Sequence, residues 1–176
     1  MRKTMLALPI LLLAASPAPA QTYTPGPENI TIPKDYQTRF VRYSVVDKPD
    51  RKIIRYLFVN PEAFDALKKG EPSPDGTILV MEDHGAKLDA AGNPVLDQQG
   101  RFIPLAPILA VAIQEKRKGW GAGYAEEKRN GEWEYARWDA KGDRAPASMD
   151  ACFNCHKPRA AQDFNFTLWD FAQARR

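Results

Sequence analysis

Apolar residues along this chain fall into short runs separated by turn-forming residues. Phe40 to Val46 and Ile53 to Val59 are β-branched and aromatic with partial alternation, the pattern of half-buried strands. Asp47-Lys48-Pro49-Asp50 between them has turn chemistry, so the two runs predict an antiparallel pair. Asn60-Pro61-Glu62 then opens a helix, with Asn as cap, Pro at the first helical position and an acid in the first turn. Phe64 and Leu67 share one face of it, Lys68 and Lys69 occupy its last turn, and Gly70 ends it. Pro72 to Gly76 is a turn, and Thr77 to Glu82 is the next strand. Its alternation puts Thr77, Leu79 and Met81 on one face and Ile78, Val80 and Glu82 on the other.

Ile108 to Gln114 is a nearly continuous apolar run of strand length, and Trp133 to Asp139 is a further strand. In the latter, Trp133, Tyr135 and Arg137 oppose Glu134, Ala136 and Trp138. Residues 83–107 carry two turn signals and predict a long hairpin or irregular excursion. Ser148 to Ala160 predicts a helix capped by Ser148 or Asp150. Together these elements give an α+β fold: mainly antiparallel sheet, a few flanking helices, and a C-terminal helix carrying both cysteines.

The first twenty residues have the build of a secretory leader: Arg2 and Lys3, an apolar Leu6 to Ala15, and the small-residue site Ala18-Pro19-Ala20. Cleavage between Ala20 and Gln21 would leave residues 21–176 as a single domain in the periplasm. The apolar run is too short for a membrane span. With Arg2 and Lys3 assigned to the leader, the 25 basic residues nearly balance the 22 acidic ones. That balance gives no footing for nucleic acid or an anionic membrane surface.

Two cysteines in an exported chain ordinarily suggest a disulfide, but their spacing says otherwise. Cys152-Phe153-Asn154-Cys155-His156 is the attachment pattern of a covalent c-type haem. Each thiol can add across one vinyl group of the ring, and two intervening residues let both sulfurs reach. The next residue, His156, then lies under the iron as proximal ligand. A disulfide here would close too small a loop to stabilise much. A zinc site lacks a second ligand pair, because only His84 remains. A thioredoxin-like dithiol would sit early in a βαβ unit rather than near the C-terminus. The expected cofactor is therefore one haem c, held by Cys152 and Cys155 and ligated by His156. Met149 lies one turn before the motif and shares the proximal side, which leaves Met81 and His84 as distal candidates.

Three blocks of the chain resemble the cytochrome P460 family, which includes the cytochromes c′-β. They are Pro33-Lys34-Asp35-Tyr36, then Leu57 to Phe64 with Lys68-Lys69-Gly70 and Asp75-Gly76-Thr77, and lastly Ala151 to Lys157 with Phe164 and Phe166-Thr167. The resemblance implies a sheet-rich domain, commonly a homodimer, with haem against the sheet and one open iron position. It implies, in members that oxidise hydroxylamine, a lysine cross-linked to the haem edge and a distal glutamate relaying protons. The c′-β type instead shields the open side with apolar groups and binds nitric oxide. This chain departs at both catalytic positions: Met81 stands where the cross-linking lysine would be, and Ala110 near the expected glutamate, with no carboxylate following until Glu115.

Met81 then has three readings: a core residue beside Leu79, an apolar shield over the iron, or an iron ligand. His84 reads as a turn residue or a distal group. Phe164, Phe166 and Trp169 are expected near the proximal side, Phe40, Phe58 and Phe102 are candidate distal shields, and Arg159 could meet a haem propionate. The functions that follow are a haem protein binding nitric oxide or a similar small nitrogen ligand, a His/Met electron carrier serving a redox partner protein, and a hydroxylamine-type oxidoreductase. Catalytic residues stay unassigned.

Overall fold

The computed structural model describes residues 24–145 and 149–175; the leader, the cleavage site and the Ser148 cap lie outside them. Five strands form one antiparallel sheet whose spatial order is the chain order. They are β1 (Val41–Lys48), β2 (Ile53–Val59), β3 (Ile78–Ala86), β4 (Pro104–Lys116) and β5 (Trp133–Asp139). Four short helices flank the sheet: α1 (Tyr36–Arg39), α2 (Pro61–Ala66), α3 (Asp150–His156) and α4 (Thr167–Ala174). No helix among the described residues is long and apolar enough to cross a membrane.

The predicted alternation holds on β3 and β5 and gives the sheet two different faces. On one, Phe58, Val80, Val111, Ile113, Ala136 and Trp138 pack under the N-terminal lead-in, through Ile30 and Tyr36. On the other, Val59, Leu79, Trp133 and Tyr135 pack under the C-terminal helices, through Met149, Phe153 and Leu168. The first face is the structural back of the molecule. The second is where the cysteine-bearing segment sits.

The structure shifts several boundaries. The helix expected through Gly70 stops at Ala66, and Leu67 is already extended at ψ 131°. Leu67 and Phe64 nevertheless pack against the second-face core, so the apolar spacing served burial rather than another helical turn. β3 and β4 invade the expected irregular stretch from both sides, leaving only residues 87–103 as an excursion. That excursion is built from two Asp-x-x-Gly turns. Asp89 Oδ1 accepts the amides of Ala91 and Asn93 at 2.9 and 2.8 Å, and Asp97 Oδ1 those of Gln99 and Arg101 at 2.9 Å each. Gly92 and Gly100 follow at φ 81° and 75°, a conformation that glycine adopts without steric cost. The expected helix 148–160 is α-helical only from Asp150 to His156 and then tightens to a 3-10 turn over Lys157–Gln162. Pro158 has no N–H to continue the α ladder. α4 was not expected at all.

The lead-in is fixed to the sheet by polar as well as apolar contacts. Arg144 donates to the carbonyls of Pro27 and Ile30 while its guanidinium stacks on Trp138 at 4.5 Å. Glu134, fully buried on β5, accepts the Gly26 amide and the Tyr124 hydroxyl. Burial pushes its carboxyl up from 4.5 to about 7, against the opposing effect of the Gly26 amide. Because the folded state favours the protonated acid, this contribution to stability is full below the ordinary carboxylate value. It is lost as pH rises toward about 7. Thermal melts between pH 5 and 8 should therefore show stability falling with pH, and Glu134→Gln should flatten that slope while keeping the Gly26 contact.

Candidate functional site

α3 docks its Phe153 side chain, 6 % exposed, into the second face. There the ring meets Tyr135 edge-on at 5.0 Å and Tyr124 at 4.9 Å. The Phe153 carbonyl accepts a hydrogen bond from the fully buried Asn130 at 3.0 Å. The first variable position of the motif is thus a core anchor that sets the height and rotation of the helix. With Phe153 turned inward, Cys152 is left half-buried and Cys155 exposed, and no disulfide joins them. Burial and the neighbouring Cys155 raise the Cys152 pKa, while Arg137 opposes the rise. Arg137 on β5 therefore lies electrostatically close to the thiol pair.

His156 is held from both sides. Its ring packs on Tyr135 and on Phe166, each with centroids 5.0 Å apart. Its Nδ1 lies 2.7 Å from the carbonyl of Phe164. A carbonyl can only accept, so Nδ1 carries the proton and Nε2 presents its lone pair. Burial lowers the His156 pKa, partly countered by that same bond, which favours the neutral imidazole a metal requires.

The accepting carbonyl is itself fixed. Gln114 on β4 donates to the same oxygen at 3.2 Å. Asp163 and Phe164 adopt positive φ of 51° and 58°, a backbone shape costly for residues other than glycine. Neighbouring contacts hold it. Asp163 accepts the Ser73 amide at 2.8 Å and the Lys116 ammonium at 3.1 Å. Asn165, 1 % exposed, bonds Ser73 Oγ at 3.2 Å. Nothing in the sequence pattern pointed to Gln114, Asp163 or Asn165. Only the paired polar residues in an otherwise apolar β4 and C-terminal segment could have hinted at them.

Register across the sheet orders the second face into rows. Val59, Leu79, Gln114 and Tyr135 lie side by side under His156 and Phe153. The next row is Leu57, Met81, Ala112 and Arg137. Met81 is half-buried and shares its face with Leu79, Tyr135 and the His156 ring. His84 does not join them. It lies on the back with Glu82, which accepts from Tyr36 at 2.5 Å and from Gln37 at 3.1 Å. His84 Nε2 meets Glu82 at 2.5 Å and Nδ1 the Leu105 carbonyl at 3.3 Å, so both ring nitrogens are engaged. Phe40 and Phe58 also pack on the back, and Phe102 packs there with Ile54 and Tyr56; none of the three faces Met81. Phe164 and Phe166 do stand beside His156, and Arg159 stacks on Phe166 at 5.0 Å.

Two thiols and an imidazole whose Nε2 makes no bond to any described residue are held on one helix above the sheet face, a set that could hold a haem c. The protein is a c-type haem cytochrome. Residues 33–167 match the family model described as Cytochrome P460, and the chain belongs to that family. No curated protein matches the sequence. Truncating the anchor, Phe153→Ala, should cost about 3–5 kcal/mol by the usual cost of emptying an aromatic core position. Chemical denaturation of the two proteins side by side measures it.

Proposed function

We propose that the chain is an exported mono-haem cytochrome that binds nitric oxide or a similar small nitrogen ligand at an iron position opposite His156. When bound, the haem supplies an iron centre able to take such a ligand at its sixth position. Cys152 and Cys155 would hold it covalently, each adding its S–H across a vinyl group to form a thioether without loss of atoms. His156 would ligate through Nε2. The observation carrying this reading is the Nδ1–H bond to the Phe164 carbonyl, which fixes the tautomer and ring orientation of the ligand. Leu57 and Ala112 flank Met81 in its row and offer no donor atom, so that part of the face shields against water.

Met81 supports a second reading, since a half-buried thioether on the ligand-facing side could close the sixth position and make an electron carrier for a redox partner. Its row position next to Leu57 and Ala112 favours the shielding role. Hydroxylamine oxidation has less support, because Met81 lacks an amine and Ala110 a carboxylate. Export rests on the Arg2-Lys3, Leu6 to Ala15 and Ala18-Pro19-Ala20 pattern and places the mature chain, beginning at Gln21, in the periplasm.

Haem-loaded protein should keep its haem through denaturation and acid-acetone extraction, and the Cys152→Ser/Cys155→Ser variant should release it. The ferric spectrum should be high-spin, and the ferrous protein should take up nitric oxide. Met81→Ala should leave the spin state unchanged. A low-spin wild type that turns high-spin in Met81→Ala would instead establish Met81 as a ligand.

A further inference from the structure

Beyond the Met81 row, the same sheet face carries an ion pair. Arg55 and Asp83 are register partners on β2 and β3, next to Ala110 on β4. Arg55 Nε donates to Asp83 Oδ1 at 2.7 Å and Nη2 to Oδ2 at 3.0 Å, a two-pronged, charge-assisted contact. Asp83 is 3 % exposed, and the Arg55 side chain 18 %. Asp83 lies four steps along β3 from Leu79, which is under His156, about 13 Å at the usual strand rise. The pair therefore stands at the far end of the face from His156, with Met81 between.

Burying two charges is costly, and apolar residues of similar volume would commonly be no less stable. The geometry is informative about what the charges do. The fork consumes Nε and Nη2 and leaves the Nη1 donors of Arg55 outside it. Arg51 brings a second guanidinium to 3.9 Å from Asp83, and Arg137 adds a third positive charge in the Met81 row. Asp139, which ends the Asp83 row on β5, turns its Oδ1 to the amides of Lys141 and Asp143 at 2.8 and 3.0 Å. The open end of this face thus has an excess of guanidinium groups and one whose orientation is locked.

We infer that Arg55, positioned by Asp83, discriminates among ligands on the open side, and that it adds a preference for a small planar nitrogen oxyanion of the nitrite class over a neutral donor such as imidazole. A guanidinium presents rigid paired donors that suit such an anion. Asp83 is a positioning residue: it orients Arg55 and contacts no ligand itself. The inference rests on the proposed open position opposite His156. Haem carboxylates share the anionic chemistry and are the competing source of a partner for Arg55.

The test uses ferric haem-loaded protein titrated with nitrite and, separately, with neutral imidazole, following the Soret band. The variant is the neutral pair Arg55→Gln/Asp83→Asn, which leaves no lone buried charge. Its nitrite dissociation constant should rise by about tenfold or more, while imidazole binding changes by less than about threefold. If the pair variant does not accumulate as folded protein, Arg55→Lys, which keeps the charge but not the fork, gives the same comparison. Equal shifts for both ligands, or none, overturn the inference. So does a changed midpoint potential with unaltered nitrite binding, which assigns Arg55 to the haem carboxylates. A wild type that takes up neither ligand overturns the open-position reading itself, and is distinguished from the other failures by needing no variant.

Discussion

The bond from His156 Nδ1 to the Phe164 carbonyl is the constraint around which the rest of the site is arranged. A metal-binding imidazole needs one nitrogen protonated, the other bare, and the ring held still. One carbonyl at 2.7 Å sets the tautomer here, and with Tyr135 and Phe166 it holds the ring. Placing that carbonyl demands two consecutive left-handed residues, Asp163 and Phe164, which cost of order 1–3 kcal/mol each. Gln114, Lys116, Ser73 and Asn165 offset that cost through contacts drawn from β4 and the turn before β3. The polar residues near the end of β4 are thus not incidental to an apolar strand. They reach across to the loop that sets the histidine.

The two faces of the sheet divide the work. The back is closed by aromatic packing and by hydrogen-bonded carboxylates, Glu82 accepting from Tyr36 and Gln37 and meeting His84, and Glu134 accepting from Gly26, Asn29 and Tyr124. The other face runs from Val59, Leu79, Gln114 and Tyr135 under His156, through Leu57, Met81 and Ala112, to the charged Arg55 and Asp83. A face graded this way keeps its middle apolar and its charge at one end. The resemblance to the family directed attention to Ala110 as a missing carboxylate. The register adds that Asp83 lies directly beside Ala110 on the neighbouring strand.

Much of this was legible because burial imposes simple periods. Alternation on β3 and β5 assigned Met81, Tyr135 and Glu134 to faces that the register bears out. The α+β architecture followed from the same runs. His84 misled because chemistry-bearing residues near a motif invite a role, yet one residue past Asp83 along a strand reverses the direction of the side chain. Phe58 lies on the back by the same alternation on β2, while Phe40 and Phe102 reach it from the end of α1 and from the 87–103 excursion. The Asp-x-x-Gly turns at Asp89, Asp97 and Asp139 were readable in principle, since each pairs an acceptor with a glycine three residues on. The Asp163–Asn165 loop was not: its positive φ values fall on Asp and Phe, where no residue type announces them.

The strand order has a consequence for how the molecule is put together. Each strand pairs with its neighbour in sequence, so the five-strand ladder ends at Asp139, and an antiparallel bridge from Arg144 back to Trp138 extends it. Both cysteines, the histidine and its carbonyl partner lie after Met149. Sheet and cysteine-bearing segment are therefore consecutive stretches of one chain that share a single core, Val59, Leu79, Trp133 and Tyr135 packing with Met149, Phe153 and Leu168. The stretch that carries both thiols is thus also the one that completes burial of the second face, so loosening it would uncover Trp133 and Tyr135 together with the cysteines.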